Sequence, residues 1–259
     1  MDSIEDFGKQ FNRHQDISGV WGSKKMLEDS TFPFDLKKIK DKKICEVGSG
    51  SGRFLKNFIN YGPQKITAID PADSIFIAEK NNKKKNIEFL NIDATEMNIE
   101  DEFDYVFSIG VIHHIPDAQS AVKNIYKSLK NNGEFIMWVY GYENNEIYVA
   151  IFDNLRKIFT KLPDFIVEIF SFILTVFTYP YTYLCKMIRL PLRDYFLNVF
   201  SNFSFKHKFY VIFDQLNPSY SKYYKKQEVI DLLETNNFEI TNLYHRDKYS
   251  WTAISKKLN

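Results

Sequence analysis

From residue 42 onward, short apolar runs alternate with amphipathic stretches, the pattern of strands and helices built around a parallel sheet. KKICEVG (42–48) reads as a strand, SGRFLKNFINYG as the helix after it, stopped at Gly62-Pro63, and KITAID (65–70) as a second strand. A helix over 72–82 and strands over 87–93 and 103–110 follow. Asp117 then supplies an N-cap for a helix through AQSAVKNIYKSLK, which Asn132-Gly133 ends before a fifth strand over 134–141.

The alternation stops at residue 142. Residues 145–161 and 163–200 read as long apolar or amphipathic helices, interrupted at Pro163, Pro180 and Pro191. The earlier pattern returns with an amphipathic helix in KKQEVIDLLETNN and two last strands in FEITNLYHR and YSWTAISKK. An α/β core of seven strands is therefore expected from 42–141 and 225–259, with a helical insertion over 142–224 and an N-terminal segment over 1–41.

Inside the insertion, FIVEIFSFILTVFTYPYTYLC (165–185) holds 21 residues with a single charge, Glu168, and is long enough to cross a bilayer. The strands before and after it belong to one sheet, so both its ends lie in one compartment and a single crossing is excluded. A second crossing would need another apolar stretch, and 192–213 carries Arg193, Asp194, Lys206, His207 and Lys208. The segment is read as part of a substrate lid, with a lipophilic substrate, a homodimer interface or peripheral contact with a bilayer surface as its three uses.

Composition narrows the setting. Lys and Arg number 34 against 33 Asp and Glu, a formal net charge of +1, so no polybasic field draws the chain onto nucleic acid. MDSIEDFGKQ has no signal-peptide character, which predicts a cytoplasmic protein, with a peripheral position at the inner face of the membrane as the alternative. Cys45 and Cys185 show neither disulfide nor metal-ligand spacing, and no metal is expected.

The candidate chemistry lies at the ends of the predicted strands. The first runs into Glu46-Val47-Gly48-Ser49-Gly50-Ser51-Gly52, a glycine turn that opens a helix and lets a ligand approach the backbone. Arg53 stands where a dinucleotide fingerprint would have its third glycine. Asp70 ends the second strand, 22 residues after Gly48; Asp93 follows the third, and SIGVIHHIPD the fourth. Four motifs in this order resemble class I S-adenosylmethionine (SAM) methyltransferases of the bacterial small-molecule type.

That resemblance implies a seven-stranded Rossmann-like sheet, mostly parallel with an antiparallel last strand, an N-terminal helical flap, and SAM as cofactor, released as S-adenosylhomocysteine. It implies that Glu46 meets the cofactor's ammonium group, that Gly48, Ser49, Gly50 and Gly52 pack under it, and that Asp70 with Pro71 holds the ribose. Asp93 and Ala94 would lie by the adenine, Ile109 under the methionine part, and Trp21 would reach in from the flap. Closing its own loop is the rival role for Asp93.

His114, with His113 beside it, is the candidate proton acceptor, or else a side chain that holds the loop before Pro116. Tyr140 is the candidate ring for the sulfonium, on the same strand face as Trp138. Asp214 and Asn217, together with Tyr220, Tyr223 and Tyr224, are polar groups placed to return to the site. The implied reaction is methyl transfer to an oxygen or nitrogen of a small or lipid-linked acceptor. Lipid carbon methylation of the cyclopropane-synthase kind and a SAM-binding non-catalytic partner subunit are the alternatives. Nucleic acid is not expected as a partner, because Ser108-Ile109-Gly110-Val111 stands where an Asn/Asp-Pro-Pro-Tyr/Phe motif would, and the chain has no basic excess.

Overall fold

The computed structural model describes Ile4, Gly8, residues 22–83 and residues 86–258. These divide into two compact units, residues up to 144 with 220–259, and residues 145–219. The first is built on seven strands: β1 Lys43–Val47, β2 Lys65–Ile69, β3 Ile87–Leu90, β4 Phe103–Ile109, β5 Leu129–Tyr140, β6 Phe238–Arg246 and β7 Ser250–Lys257. Their order across the sheet is β3-β2-β1-β4-β5-β7-β6. β1 to β5 pair in parallel, and β7 runs antiparallel to both β5 and β6. The expected seven-stranded, mostly parallel sheet is thus present. Strand order reverses between β1 and β4, the position where open α/β sheets receive ligands.

Helices cover both faces, which is why the inner strands are continuous apolar runs instead of alternating ones. On one face, α1 (Lys24–Thr31), α2 (Leu55–Ile59) and α3 (Ser74–Asn81) pack Leu27, Phe58 and Ala78 against Ile44, Ile66 and Phe107. On the other, α4 (Ala118–Ser128) and α9 (Lys226–Glu234) place Val122 and Leu233 against Cys45, Val106, Phe135 and Met137. Each fully buried ring such as Phe58 or Phe107 contributes about 2 kcal/mol.

Two local expectations are corrected. Asn132-Gly133 does not end a helix: α4 stops at Ser128, capped at its start by Asp117, and Asn132 (φ 64°) and Gly133 lie within β5. The β4–β5 register shifts between Phe103 and Tyr105, and glycine suits position 133 because a Cβ there would lie 2.9 Å from the Lys130 carbonyl. The helix after β1 is also shorter than its pattern, with residues 51–54 forming a turn before Leu55.

The second unit contains α5 (Glu146–Phe159), α6 (Asp164–Met187), α7 (Arg193–Asn198) and α8 (Phe205–Leu216). Pro180 does not interrupt α6 but sits inside it, on the exposed face. The unit's core gathers Phe159, Val167, Phe200, Ile212, Phe213 and Leu216. α6 is inverted in polarity. Its buried residues are Val167, Ser171, Thr175, Thr178 and Cys185, whereas Phe172, Phe177 (64 % exposed), Tyr183 (64 %) and Met187 (69 %) face outward. The Thr175, Thr178 and Thr182 hydroxyls donate to carbonyls of their own helix at 2.6–2.7 Å, while the buried Ser171 hydroxyl has no partner among the described residues. By length and composition α6 is able to cross a membrane.

Candidate active site

β1 carries Glu46 and Gly48 to the carboxyl edge of the sheet beside Asp70 at the end of β2. The Gly48 and Ser49 amides both donate to the Ile69 carbonyl, at 2.8 and 3.0 Å, and so join the glycine turn to β2. Asp70 completes the joint. Its Oδ2 accepts the Gly50 amide at 2.8 Å, and its Oδ1 accepts the Ala72 amide at 3.0 Å, just past the half-buried Pro71. Gly48 and Gly52 both have φ of 78°, and a Cβ would lie 2.2 Å from a Val111 methyl at Gly48 and 2.8 Å from the Ala78 Cβ at Gly52. Glycine is required at both positions by backbone conformation and by space.

Two carboxylates are buried here. Burial pushes Glu46 up to about 8; a hydrogen bond from the Ser49 hydroxyl (3.0 Å) and the charge of Arg53 offset this only partly. Burial likewise raises Asp70 to about 6 against the amides of Gly50 and Ala72. Arg53 projects toward the β4 end, its Nη2 lying 3.6 Å from where a Gly110 Cβ would stand. In the sequence Arg53 marks only a departure from a glycine pattern, and in the fold its charge acts on Glu46.

SAM fits this set. Its ammonium would bring Glu46 a cation beside the partial charge support of Arg53, and its ribose hydroxyls would donate to Asp70, whose Oδ2 accepts one hydrogen bond from the chain, from the Gly50 amide.

Asp93 closes its own loop: its Oδ1 accepts from the Thr95 amide at 2.7 Å and the Thr95 hydroxyl at 2.8 Å. Ala94 is buried in the core, with its carbonyl accepting from Asn124. Ile109 does not line an open surface: its side chain is 4 % exposed within the core, so this position offers a ligand backbone and not side chain. Trp21 lies outside the described residues, as does nearly half of the N-terminal segment 1–41.

Beyond β4, Val111 packs on Gly48, and His113 and His114 follow in a short 3-10 turn. Residues 220–224 run along this turn. The Lys222 amide donates to the His113 carbonyl at 2.8 Å, the Tyr224 amide to the Tyr140 carbonyl at 2.9 Å, and the Tyr142 amide to the Tyr224 carbonyl at 2.9 Å. His114 Nδ1 sits 3.0 Å from the Tyr220 carbonyl. The buried His113 ring lies 4.0 Å from the Tyr140 ring, which meets Tyr223 in a stack at 5.4 Å. His113, His114, Tyr140 and the tyrosine strip thus form one cluster. Trp138 is core, donating through Nε1 to Ser250.

Residues 45–137 match the model of a methyltransferase domain. The chain carries a methyltransferase domain over these residues. The fold of the domain recurs in solved structures: a chain of the complex between the Haloferax volcanii Trm112 methyltransferase activator and a methyltransferase (TM-score 0.61, 11 % identity, 99 % of this chain and 96 % of that one). A second is the Burkholderia thailandensis 1,6-didemethyltoxoflavin-N1-methyltransferase with S-adenosylhomocysteine (TM-score 0.56, 14 % identity, 98 % and 88 %).

Among curated relatives, the tRNA U34 carboxymethyltransferase of Helicobacter pylori (strain Shi470) is 30 % identical over 120 residues, covering 42 % of this chain and 46 % of the relative. That of Sulfurimonas denitrificans is 28 % identical over 113 residues, covering 42 % and 38 %. The chain therefore matches less than half the length of these relatives. Their names overturn two expectations, the small or lipid-linked acceptor and the absence of nucleic acid among the partners. The second failed for a physical reason. Net charge averages over the whole chain, whereas RNA contact requires only a local basic strip.

Proposed function

We propose that this chain binds SAM in its methyltransferase domain and transfers a group from it to a base of a tRNA. The observation that carries the cofactor half is the pair of buried carboxylates, Glu46 and Asp70, set on a glycine turn at the point where strand order reverses. The acceptor class is supported by the relatives, whose names specify tRNA. It is also supported by the segment beside His113 and His114, where Lys222, Lys225 and Lys226 interleave with Tyr223 and Tyr224. Lys222 Nζ lies 4.5 Å from the Tyr224 ring centre and Lys225 Nζ 5.2 Å from that of Tyr142, the mixture of cation and ring that suits phosphates and bases.

Bound SAM would supply an electrophilic carbon on a sulfonium. Glu46 would hold its ammonium group, Asp70 its ribose hydroxyls, and the turn from Gly48 to Gly52 would cradle it. What remains for the protein is positioning and exclusion of water. Electrophoretic mobility of labelled tRNA tests the acceptor: binding that weakens as salt rises is expected, and no binding at low salt contradicts the reading.

This function places the protein in the cytoplasm, and we place it there at the inner membrane face. The support is the inverted polarity of α6. Small hydroxyl residues inside and large apolar residues outside is the arrangement of a helix whose outer solvent is lipid. Ile147, Ile151 and Ile158 extend the exposed apolar surface on α5, and Lys186 and Arg189 stand exposed at the end of α6 to meet anionic headgroups. Flotation with vesicles containing anionic lipid is the test: co-flotation that Phe177→Asp abolishes is expected, and protein left at the bottom of the gradient contradicts it.

A further inference from the structure

The contact between His114 and Tyr220 has a chemical direction. A backbone carbonyl oxygen only accepts, so the 3.0 Å contact requires the proton on Nδ1. In the neutral imidazole the lone pair is then on Nε2.

The ring is fixed from several sides. Its Nδ1 is held by the strip, the neighbouring His113 ring lies 4.2 Å away, and the Tyr140 ring meets it edge-on at 6.0 Å. The strip is itself pinned, with Lys222 donating to the His113 carbonyl and Tyr224 to the Tyr140 carbonyl. The turn that carries His114 begins at Val111, which packs directly on Gly48 of the cofactor turn. An imidazole of defined tautomer therefore stands at the junction between the cofactor turn and the aromatic, lysine-bearing strip.

We propose that His114 is the proton acceptor of the transfer reaction, acting through Nε2, and that the Tyr220 carbonyl is the group that sets its tautomer. The inference rests on the transfer chemistry proposed above and adds to it the residue that removes the acceptor's proton. The acceptor's O–H or N–H proton passes to Nε2. The electron pair left on that atom forms the bond to the donor carbon, the carbon–sulfur bond breaks, and its pair stays on sulfur. The imidazolium returns its proton to solvent.

His114→Asn separates this role from a structural one. The Asn amide Nδ2 stands where Nδ1 was and still donates to the Tyr220 carbonyl, but no base remains at the Nε2 position. With tRNA as acceptor, kcat is expected to fall at least about a hundredfold while the SAM Kd and the tRNA KM stay within about twofold. A kcat within about threefold of the unaltered protein, or equal losses in kcat and both affinities, overturns the proposal. The tautomer is read independently by 15N-correlated NMR of the imidazole in the full chain. Nδ1–H is expected, and Nε2–H overturns the assignment. If the unaltered protein labels no RNA, the tRNA reading fails by itself, and the NMR result decides whether His114 is poised as inferred.

Discussion

Asp70 Oδ2 accepts the Gly50 amide at 2.8 Å, so the carboxylate expected to meet the cofactor's ribose also holds the glycine turn in place. One side chain thereby serves both sides of the joint: Oδ2 fixes the loop from β1, and Oδ1 fixes the start of the segment after β2 through Ala72 and Ser74. Asp70→Asn should therefore weaken SAM binding by more than the loss of a single neutral hydrogen bond. Hydrogen bonds to a charged group are worth about 1.5–3 kcal/mol, which corresponds to a Kd raised about ten- to a hundredfold by calorimetry. Unchanged affinity would refute the ribose assignment.

Gly48 and Gly62 make a controlled pair. Both have positive φ, 78° and 72°, but a Cβ at Gly48 meets Val111 at 2.2 Å, whereas at Gly62 the nearest atom is Lys40 Cγ at 3.8 Å. Gly62→Ala carries only the backbone term, about 1 kcal/mol, and Gly48→Ala adds overpacking of about 1–3 kcal/mol. Chemical denaturation should rank them in that order, and SAM affinity should fall for Gly48→Ala alone. Equal destabilisation would show that Val111 gives way freely.

Cofactor binding should be linked to protons. Glu46 is raised from 4.5 to about 8, so it is largely protonated in the free protein at neutral pH, and it must ionise to pair with an ammonium group. SAM affinity is therefore expected to rise as pH increases from 6 toward 8, with a proton released on binding, and Glu46→Gln should lose both effects.

The same shift has the opposite sign for the stability of the free protein. Between 4.5 and about 8 the folded state holds a proton that the unfolded chain has released, so this group's contribution is full below 4.5 and is lost as pH rises to 8. Asp70 acts in the same direction between 3.8 and about 6. Denaturation across this range, with Glu46→Gln as control, checks the sign; a control that follows the same pH course as the unaltered protein would remove Glu46 as the cause.

Ser250 supplies the acceptor for the buried Trp138 indole N–H at 3.0 Å. Ser250→Ala leaves that donor unsatisfied, and a loss of about 1–3 kcal/mol in unfolding free energy is expected, with SAM affinity unchanged. A variant as stable as the parent would mean that the indole finds another partner.

What was legible in the sequence follows from how local each signal is. The strands that carry Glu46 and Asp70 announce themselves as apolar runs, and the glycine turn is written in residues whose backbone freedom nothing else supplies. Asn132-Gly133 misled because a helix stop and a strand irregularity need the same positive φ, and only the pairing of β5 with β4 decides between them. Pro180 misled in the same way, since a proline on the exposed face of a long helix need not end it. Ile109 ends β4 as its apolar run indicates, but its side chain is packed in the core. Tyr220 is expected near the site, but its contact with His114 joins residues 106 apart through a backbone carbonyl, which any residue type provides, so the sequence does not specify that bond.

The central claim is transfer from SAM to tRNA, and the most direct measurement uses SAM labelled in its methyl carbon, total tRNA and the purified chain, followed by nuclease digestion and nucleoside chromatography. The account predicts label in one modified nucleoside, lost with Asp70→Asn and with His114→Asn. Label that survives nuclease treatment and partitions with protein, lipid or small molecules would contradict it.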